Sequence, residues 1–336
     1  MTEISSILLD RFFKCEGRRY VTDGRLFLNP SGASLKGLFR GENLKIALRG
    51  DPAEKGRNTY IRLTFDGHSR RIRLPKKEKV IALSAPNGEH LFEIVKLSES
   101  QSNALSISSV VTDGEFLPYR EEKPLKIEFV GDSITTGYGV RAKRADEEYT
   151  TATQDVTLSY AYLTACALNA EMHVVAASGW GVYKSKYAEQ AIPDFYGNVD
   201  LTRNKEGWDF SRFRPDLIVV ALGTNDFSYL GDLSPEKRAE EKVALKQKYV
   251  DFLRLLLGQG GKVILCYGFS GSEAQAELPA LVQEIWREID SPDFYTLQVK
   301  DAHSMNDISA GHPGKKTHRL AAKKLVACIK SILSSS

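Results

Sequence analysis

The chain is poor in the residues that announce a disulfide scaffold, a metal centre or a membrane span. Its four cysteines, Cys15, Cys166, Cys266 and Cys328, lie far apart in 336 residues. No pair has the spacing of a zinc site or a disulfide framework. Cys166, Cys266 and Cys328 sit in apolar runs and read as buried small hydrophobes. No metal and no organic cofactor is expected, because no ligand set for either is visible. No apolar stretch is long enough to span a bilayer. Neither sign of charge dominates: 46 basic against 43 acidic residues leave a net +3. That balance gives no electrostatic argument for a nucleic-acid or membrane partner. The short clusters Lys76-Lys77-Glu78-Lys79 and Lys323-Lys324 read as solvated faces. The segment Met1–Asp10 lacks a basic start, a long apolar core and a small-residue cleavage site. A cytoplasmic protein is expected if this is the natural start, a secreted one if a leader has been trimmed. There is no internal repeat and no low-complexity tract.

What is present is a chain of ordinary globular composition, 42% hydrophobic and 26% charged, with length enough for two domains. Its two parts have different periodicities. From about residue 5 to 120 the runs are short and alternating: Leu44–Leu48, Tyr60–Phe65, Arg71–Leu74 and His90–Val95. Turn residues separate them at Asn29–Gly32, Asp66-Gly67 and Pro86–Gly88. This predicts antiparallel strands without convincing helices, hence a β-sandwich or jelly roll. The charged, proline-bearing segment Pro118–Pro124 reads as the boundary, giving residues 1–122 and 123–336 as domains. Beyond it, continuous apolar runs at Ile127–Val130, Val174–Ala177, Leu217–Leu222 and Val263–Cys266 alternate with helical patterns. Such runs predict a mostly parallel sheet buried on both faces, an α/β domain. Ser234-Pro235 supplies an N-cap and a first-turn proline. Leu245, Tyr249, Phe252, Leu253 and Leu256 continue at helical spacing to Gly258. Leu320, Lys324, Val326-Ala327 and Ile329-Lys330 predict a C-terminal helix.

Chemistry gathers at the ends of the apolar runs. Gly131-Asp132-Ser133-Ile134 follows the first, and a serine leaving a strand end at a carboxyl sheet edge is well placed as a nucleophile. Taken alone, it is equally a turn serine. Ser178-Gly179-Trp180-Gly181 follows the second run, and the Gly179 N–H can face an oxyanion without a side chain obstructing approach. The same glycine serves as well for a plain turn. Gly223-Thr224-Asn225-Asp226 follows the third, where Asn225 can donate its side-chain amide or make an Asx turn. Gly311-His312-Pro313 places a loop histidine, a candidate base, before the last helix. Three such tips converging on one sheet edge shift the reading towards function. His68, His90, His173, His303 and His318 are poorer candidates, the first two lying in the β domain. His318 reads as structural.

In order and content, these four blocks resemble the SGNH (GDSL-type) hydrolases over residues 125–336. A jelly roll ahead of them resembles carbohydrate esterase family 2, whose members deacetylate plant polysaccharides and oligosaccharides. The resemblance implies a flavodoxin-like catalytic fold with Ser133 as nucleophile and His312 as base. The Ser133 N–H, the Gly179 N–H and the Asn225 side chain would form the oxyanion hole, and Asp132 would brace the loop. It implies a serine esterase acting on acetylated xylo- or other oligosaccharides through an acetyl-enzyme, with acetylated carbohydrate as its partner. A lipase- or thioesterase-like hydrolase, and a carbohydrate-binding protein with a weakened site, are the alternatives. One departure stands out. SGNH hydrolases usually carry an aspartate three residues before the histidine, where this chain has Ser309. His312 is then oriented by a backbone carbonyl, by Asp307, or by nothing in a weakened enzyme. The carbonyl is the favoured reading and Asp307 the next. For sugar stacking, Trp180, Tyr138 and Phe227 lie nearest the catalytic loops and Tyr229 close by, each with core packing as an equal reading.

Overall fold

The computed structural model describes residues 2–5, 9, 12–269, 276–299 and 307–335. His303 lies outside them.

Strands β1 (Thr2–Ser5), β2 (Lys14–Glu16), β3 (Tyr20–Thr22), β4 (Arg25–Phe27), β5 (Ser34–Pro52), β6 (Thr59–Phe65), β7 (His68–Leu74), β8 (Lys79–Lys96), β9 (Asn103–Thr112) and β10 (Glu115–Leu117) form one antiparallel sheet. Its path is β3-β4-β9-β5-β8-β6-β7, with β1 on β9 and β2 and β10 on β5. The long strands β5 and β8 make the sheet curl, because the two halves of β5 take different partners. Residues 34–40 pair with β2 and β10, and residues 44–52 with β9. Alternating residues, among them Leu35, Phe39, Ile46, Ile61, Phe92 and Ile107, fill the enclosed core. This is the expected all-β domain, with one correction. Pro86–Gly88 does not separate two strands but lies inside β8. Gly41 pairs with Gly88 and Asn43 with Ser84, so three β8 residues bulge opposite Glu42. A bulge tolerates the proline and glycine that a regular ladder would reject.

The second half holds a five-stranded parallel sheet, β11 (Leu125–Gly131), β12 (Ala170–Ala176), β13 (Leu217–Ala221), β14 (Lys262–Tyr267) and β15 (Phe294–Gln298), in the order β12-β11-β13-β14-β15. The first four match the apolar runs. The fifth was not visible as a run because it is an edge strand, buried only at Phe294. Seven helices join them among the described residues: α1 (Ser133–Thr136), α2 (Tyr160–Ala167), α3 (Ile192–Phe195), α4 (Thr224–Leu230), α5 (Pro235–Leu257), α6 (Leu278–Ile289) and α7 (Lys315–Ser334). α5 and α6 pack on one face around Val220, Leu245, Tyr249 and Leu281. α2 and α7 pack on the other around Phe129, Tyr160, Ala321 and Leu325. α5 begins as expected, with the Ser234 hydroxyl accepting the Lys237 N–H. The strand order reverses at β11, so the carboxyl ends of β11, β12 and β13 frame the crevice where open α/β sheets place ligands. A short hairpin, β16 (Ile308–Ser309) with β17 (His312–Pro313), stands over that edge.

Cys15 and Cys266 are buried, but Cys166 is exposed and Cys328 half-buried. Each lies on a helix, where an apolar run does not say which turn faces out. Among the described residues no helix is long and apolar enough to cross a membrane.

Candidate active site

Ser133 opens α1 directly after β11. Gly131 allows the turn: a Cβ there would fall 2.0 Å from the Thr135 hydroxyl. Asp132 caps the helix, its carboxylate accepting the Ile134 N–H at 3.0 Å. The Ser133 side chain is 6% exposed at the base of a cavity. It donates to His312 Nε2 across 2.9 Å. His312 in turn donates from Nδ1 to the Ala310 carbonyl at 3.1 Å. A carbonyl can only accept, so this bond places the ring proton on Nδ1 and leaves Nε2 to receive the serine proton.

Ala310 has φ +48°, in the left-handed region that disfavours a side chain. Gly139 makes room for it, since a Cβ on Gly139 would meet the Ala310 Cβ at 2.9 Å. Burial pushes the His312 imidazole below its ordinary pKa, with the Ala310 bond opposing. Asp307 turns the other way. Its carboxylate accepts the Thr317 N–H and its backbone carbonyl the Gly314 N–H, so it secures the start of α7. The backbone carbonyl, not Asp307, is thus what faces the ring. His318 falls in the first turn of α7, buried, and accepts the Tyr160 N–H on Nδ1.

Gly179 and Asn225 reach the same cavity from the ends of β12 and β13. Gly179 has φ +82°. Asn225 Nδ2 donates to the Trp180 carbonyl at 2.9 Å and to Asp132 at a longer 3.3 Å. The neighbouring Asp226 is buried and accepts the N–H groups of Val182, Tyr183 and Lys184 at 2.8 to 3.1 Å. It clamps the loop after β12 against α4. Gly181 permits this approach, as a Cβ there would lie 2.6 Å from the carboxylate. Burial raises Asp226 to about 6 despite those donors. Burial raises Asp132 to about 7, with Asp226 adding to the shift.

The cavity measures about 790 Å³. Tyr138 lines it, stacked on Tyr149 at 3.6 Å and facing the His312 ring at 4.3 Å. Trp180 and Phe227 do not line it. They are 5% and 0% exposed and belong to the core under α5 and α6. Tyr229 packs against that core too, and Trp208 lies apart, over Arg18. Sequence proximity to a catalytic loop does not tell which side of the loop a ring takes.

The structure adds lining residues that the sequence reading missed. Tyr187, 64% exposed, stands over Gly179. An aromatic among Lys184, Ser185 and Lys186 in a loop was the available signal. Ala53, Glu54, Arg57, Glu99, Gln101 and Ser102 come from the antiparallel domain. No local pattern marks them, because the approach of one domain to another is not written in periodicity. Among the described residues no group of three or more His, Cys, Asp or Glu side chains could hold a metal ion.

Residues 129–320 match the GDSL-like lipase/acylhydrolase family, and residues 15–119 match the carbohydrate esterase 2 N-terminal domain. An acetylxylan esterase / glucomannan deacetylase from Cellvibrio japonicus is 28% identical over 96% of this chain and 90% of its own. The solved structure of a family two carbohydrate esterase from the same organism superposes with a TM-score of 0.86 at 26% identity, covering 99% and 98% of the two chains. An acetyl xylan esterase from the rumen bacterium Butyrivibrio proteoclasticus shares the fold, with a TM-score of 0.86 at 22% identity over 99% of this chain and all of the other.

Proposed function

The chain belongs to the GDSL-like lipase/acylhydrolase family, and on that premise we propose that it removes O-acetyl groups from carbohydrate through a Ser133–His312 dyad. The observation that carries this is the 2.9 Å contact between Ser133 Oγ and His312 Nε2 at the base of the shared cavity. The match of residues 15–119 to a carbohydrate esterase domain supports the substrate class.

In this reading Ser133 Oγ attacks the acetyl carbonyl while its proton passes to His312 Nε2. The developing oxyanion is met by the Ser133 and Gly179 N–H groups. The Asn225 amide joins them by exchanging its long contact with Asp132 for the oxyanion. His312 then protonates the departing sugar oxygen, leaving acetyl-Ser133. Water, deprotonated by the same imidazole, releases acetate. The Ala310 carbonyl holds the ring tautomer but carries no full charge to stabilise the imidazolium, so the dyad forgoes part of what a carboxylate supplies.

Tyr187 and Tyr138 take the substrate-facing role, since their rings border the cavity and those of Trp180 and Phe227 do not. Tyr187→Ala is expected to raise KM for an acetylated xylo-oligosaccharide about three- to tenfold, the value of one stacking contact, and to leave KM for an aryl acetate nearly unchanged. Equal effects on both would remove Tyr187 from the sugar site.

The deciding assay compares an aryl acetate, an aryl butyrate and acetylated xylo-oligosaccharides with wild type and Ser133→Ala. Acetate-selective hydrolysis should fall by about 10⁴-fold or more in the variant. A preference for butyrate would replace deacetylation by a lipase-like reading. Hydrolysis that survives in the variant would remove Ser133 from the chemistry.

A further inference from the structure

We propose that Glu99, carried by the antiparallel domain, is a positioning residue for the oxyanion side of the active site. The proposal rests on the acyl-transfer reading above and extends the working machinery into the other domain.

Glu99 follows β8 and is 1% exposed. Its carboxylate accepts twice from Ser178, at 2.7 Å from the N–H and 2.7 Å from the hydroxyl. Gln101 Nε2 donates to the Ser178 carbonyl at 3.0 Å and to the same carboxylate at 3.0 Å. All three polar groups of Ser178 are therefore held from outside its own domain.

The consequence reaches Gly179 through peptide geometry. The Ser178 carbonyl and the Gly179 N–H belong to one planar unit and point in opposite directions. Fixing the carbonyl on Gln101 therefore fixes the direction of the Gly179 N–H. The turn closed by the Trp180 N–H on the Ala177 carbonyl at 3.3 Å, with Gly179 at φ +82°, holds the same plane, and the Glu99–Gln101 pair anchors that turn from outside. The network also continues to the nucleophile. Gln154 donates to Glu99 at 3.3 Å and to the Thr136 hydroxyl at 2.9 Å, and that hydroxyl donates to the Ser133 carbonyl at 3.0 Å. One buried carboxylate thus ties an oxyanion donor to the turn that holds the serine.

A buried carboxylate held by neutral donors is a costly way to join two domains. A glutamine would carry no charge but would keep one acceptor only, turning its NH2 towards the donor amide of Gln154 or Gln101. What the carboxylate supplies is two strong acceptors aimed at one residue. Because the Glu99 carboxylate is taken up by Ser178, Gln101 and Gln154, its removal should act on the chemical step and leave ground-state binding largely alone.

The test uses the full chain and a fluorophosphonate probe, whose attachment to Ser133 is followed by intact mass spectrometry. The probe needs the serine, the base and the oxyanion donors, but no sugar. Glu99→Ala should slow labelling by about tenfold or more, a fraction of the loss seen when an oxyanion donor is deleted outright. The kcat for an aryl acetate should fall in parallel, with KM within about twofold. Glu99→Gln should recover the labelling rate to within about threefold of wild type, since it keeps one acceptor and a polar group facing the Ser178 hydroxyl. Labelling of Glu99→Ala within twofold of wild type would overturn the proposal. So would slow labelling in both variants that tracks a common loss of thermal stability, because Glu99 would then only hold the domains together. If Glu99→Ala does not fold, Gln101→Ala frees the Ser178 carbonyl alone and should slow labelling about threefold. An unchanged rate in that variant would likewise overturn the proposal. Wild type that takes the probe yet leaves acetylated sugars intact would overturn the substrate reading and leave the labelling comparison valid.

Discussion

Ala310 sits in a backbone region that costs a side-chain-bearing residue roughly 1 kcal/mol or more, and its carbonyl is the group that meets His312. The strain and the contact belong together, because the left-handed turn aims the carbonyl back at the ring two residues on. Asp307, freed from the ring, serves α7 instead. Asp307→Ala should therefore lower stability by about 1 kcal/mol, the value of a helix-start contact, and leave kcat for an aryl acetate within about threefold. Denaturant unfolding beside steady-state kinetics measures both, and near-complete loss of kcat would return Asp307 to the catalytic set. Burial of His312 has a sign that can be read in a pH profile. A general base works neutral, and burial lowers its pKa, so it stays neutral to lower pH. The acid limb of kcat/KM should thus fall below 6.5, the ordinary histidine value. At this scale the sequence was most legible within two or three residues of the end of a buried run. Ser133, Gly179 and Asn225 could be placed at one edge because strand ends fix where the next residue goes. Trp180 and Phe227 were opaque because one or two further residues turn the side chain inward.

The loop after β12 shows how an element is held by a single carboxylate. Asp226, on α4, collects three consecutive N–H groups from that loop, and Gly181 is the only residue type that lets the chain pass so close. Gly181→Ala would drive a methyl group into the carboxylate. It should cost about 1–3 kcal/mol through overpacking and reduce kcat by displacing the segment that contains Gly179. Thermal unfolding and aryl acetate turnover measure the two effects, and a fully stable variant would show that the loop can move aside. A second arrangement, a column of rings, joins the domains across the cavity. The Arg57 guanidinium lies 4.5 Å from the Tyr149 ring, Tyr149 stacks on Tyr138, and Tyr138 faces His312. Elements with a clean period were legible: the parallel strands from continuous apolar runs, and α5 from its serine cap and leucine spacing. The length of β8 was not, because Pro86 and Gly88 signal a turn unless the opposing strand is known. β15 escaped because edge strands lose the two-sided burial that produces an apolar run.

Across the whole molecule, the two sheets are joined by buried and half-buried polar contacts. Arg18, 2% exposed, leaves the antiparallel domain and donates to the carbonyls of Tyr196 and Asn198 and to Glu128. Its guanidinium lies against the rings of Tyr196, Trp208 and Phe210. Asn29 reaches Asp200 at 2.9 Å, and Arg203 reaches the Ser100 carbonyl at 2.6 Å. Removing Arg18 takes the cation from a buried Glu128 carboxylate and leaves it the Tyr196 hydroxyl. Arg18→Ala should therefore destabilise the chain by about 3–5 kcal/mol, measurable by denaturant unfolding. A cost below about 1 kcal/mol would mean that this interface contributes little. None of these pairings could be read beforehand, since their partners stand more than a hundred residues apart.

The same separation governs the order in which the machinery comes into being. Ser133 and His312 are 179 residues apart, and Glu99 precedes both. On the ribosome, where domains tend to fold as they emerge from the N-terminal side, the curled sheet and its glutamate are complete before the serine arrives. The histidine comes out last of the set. If Ser133 and His312 act as proposed, a nascent chain arrested anywhere before the histidine would display a serine without its base. Turnover by the proposed dyad would therefore be a late event in biosynthesis, begun only once His312 has emerged from the ribosome and met Ser133.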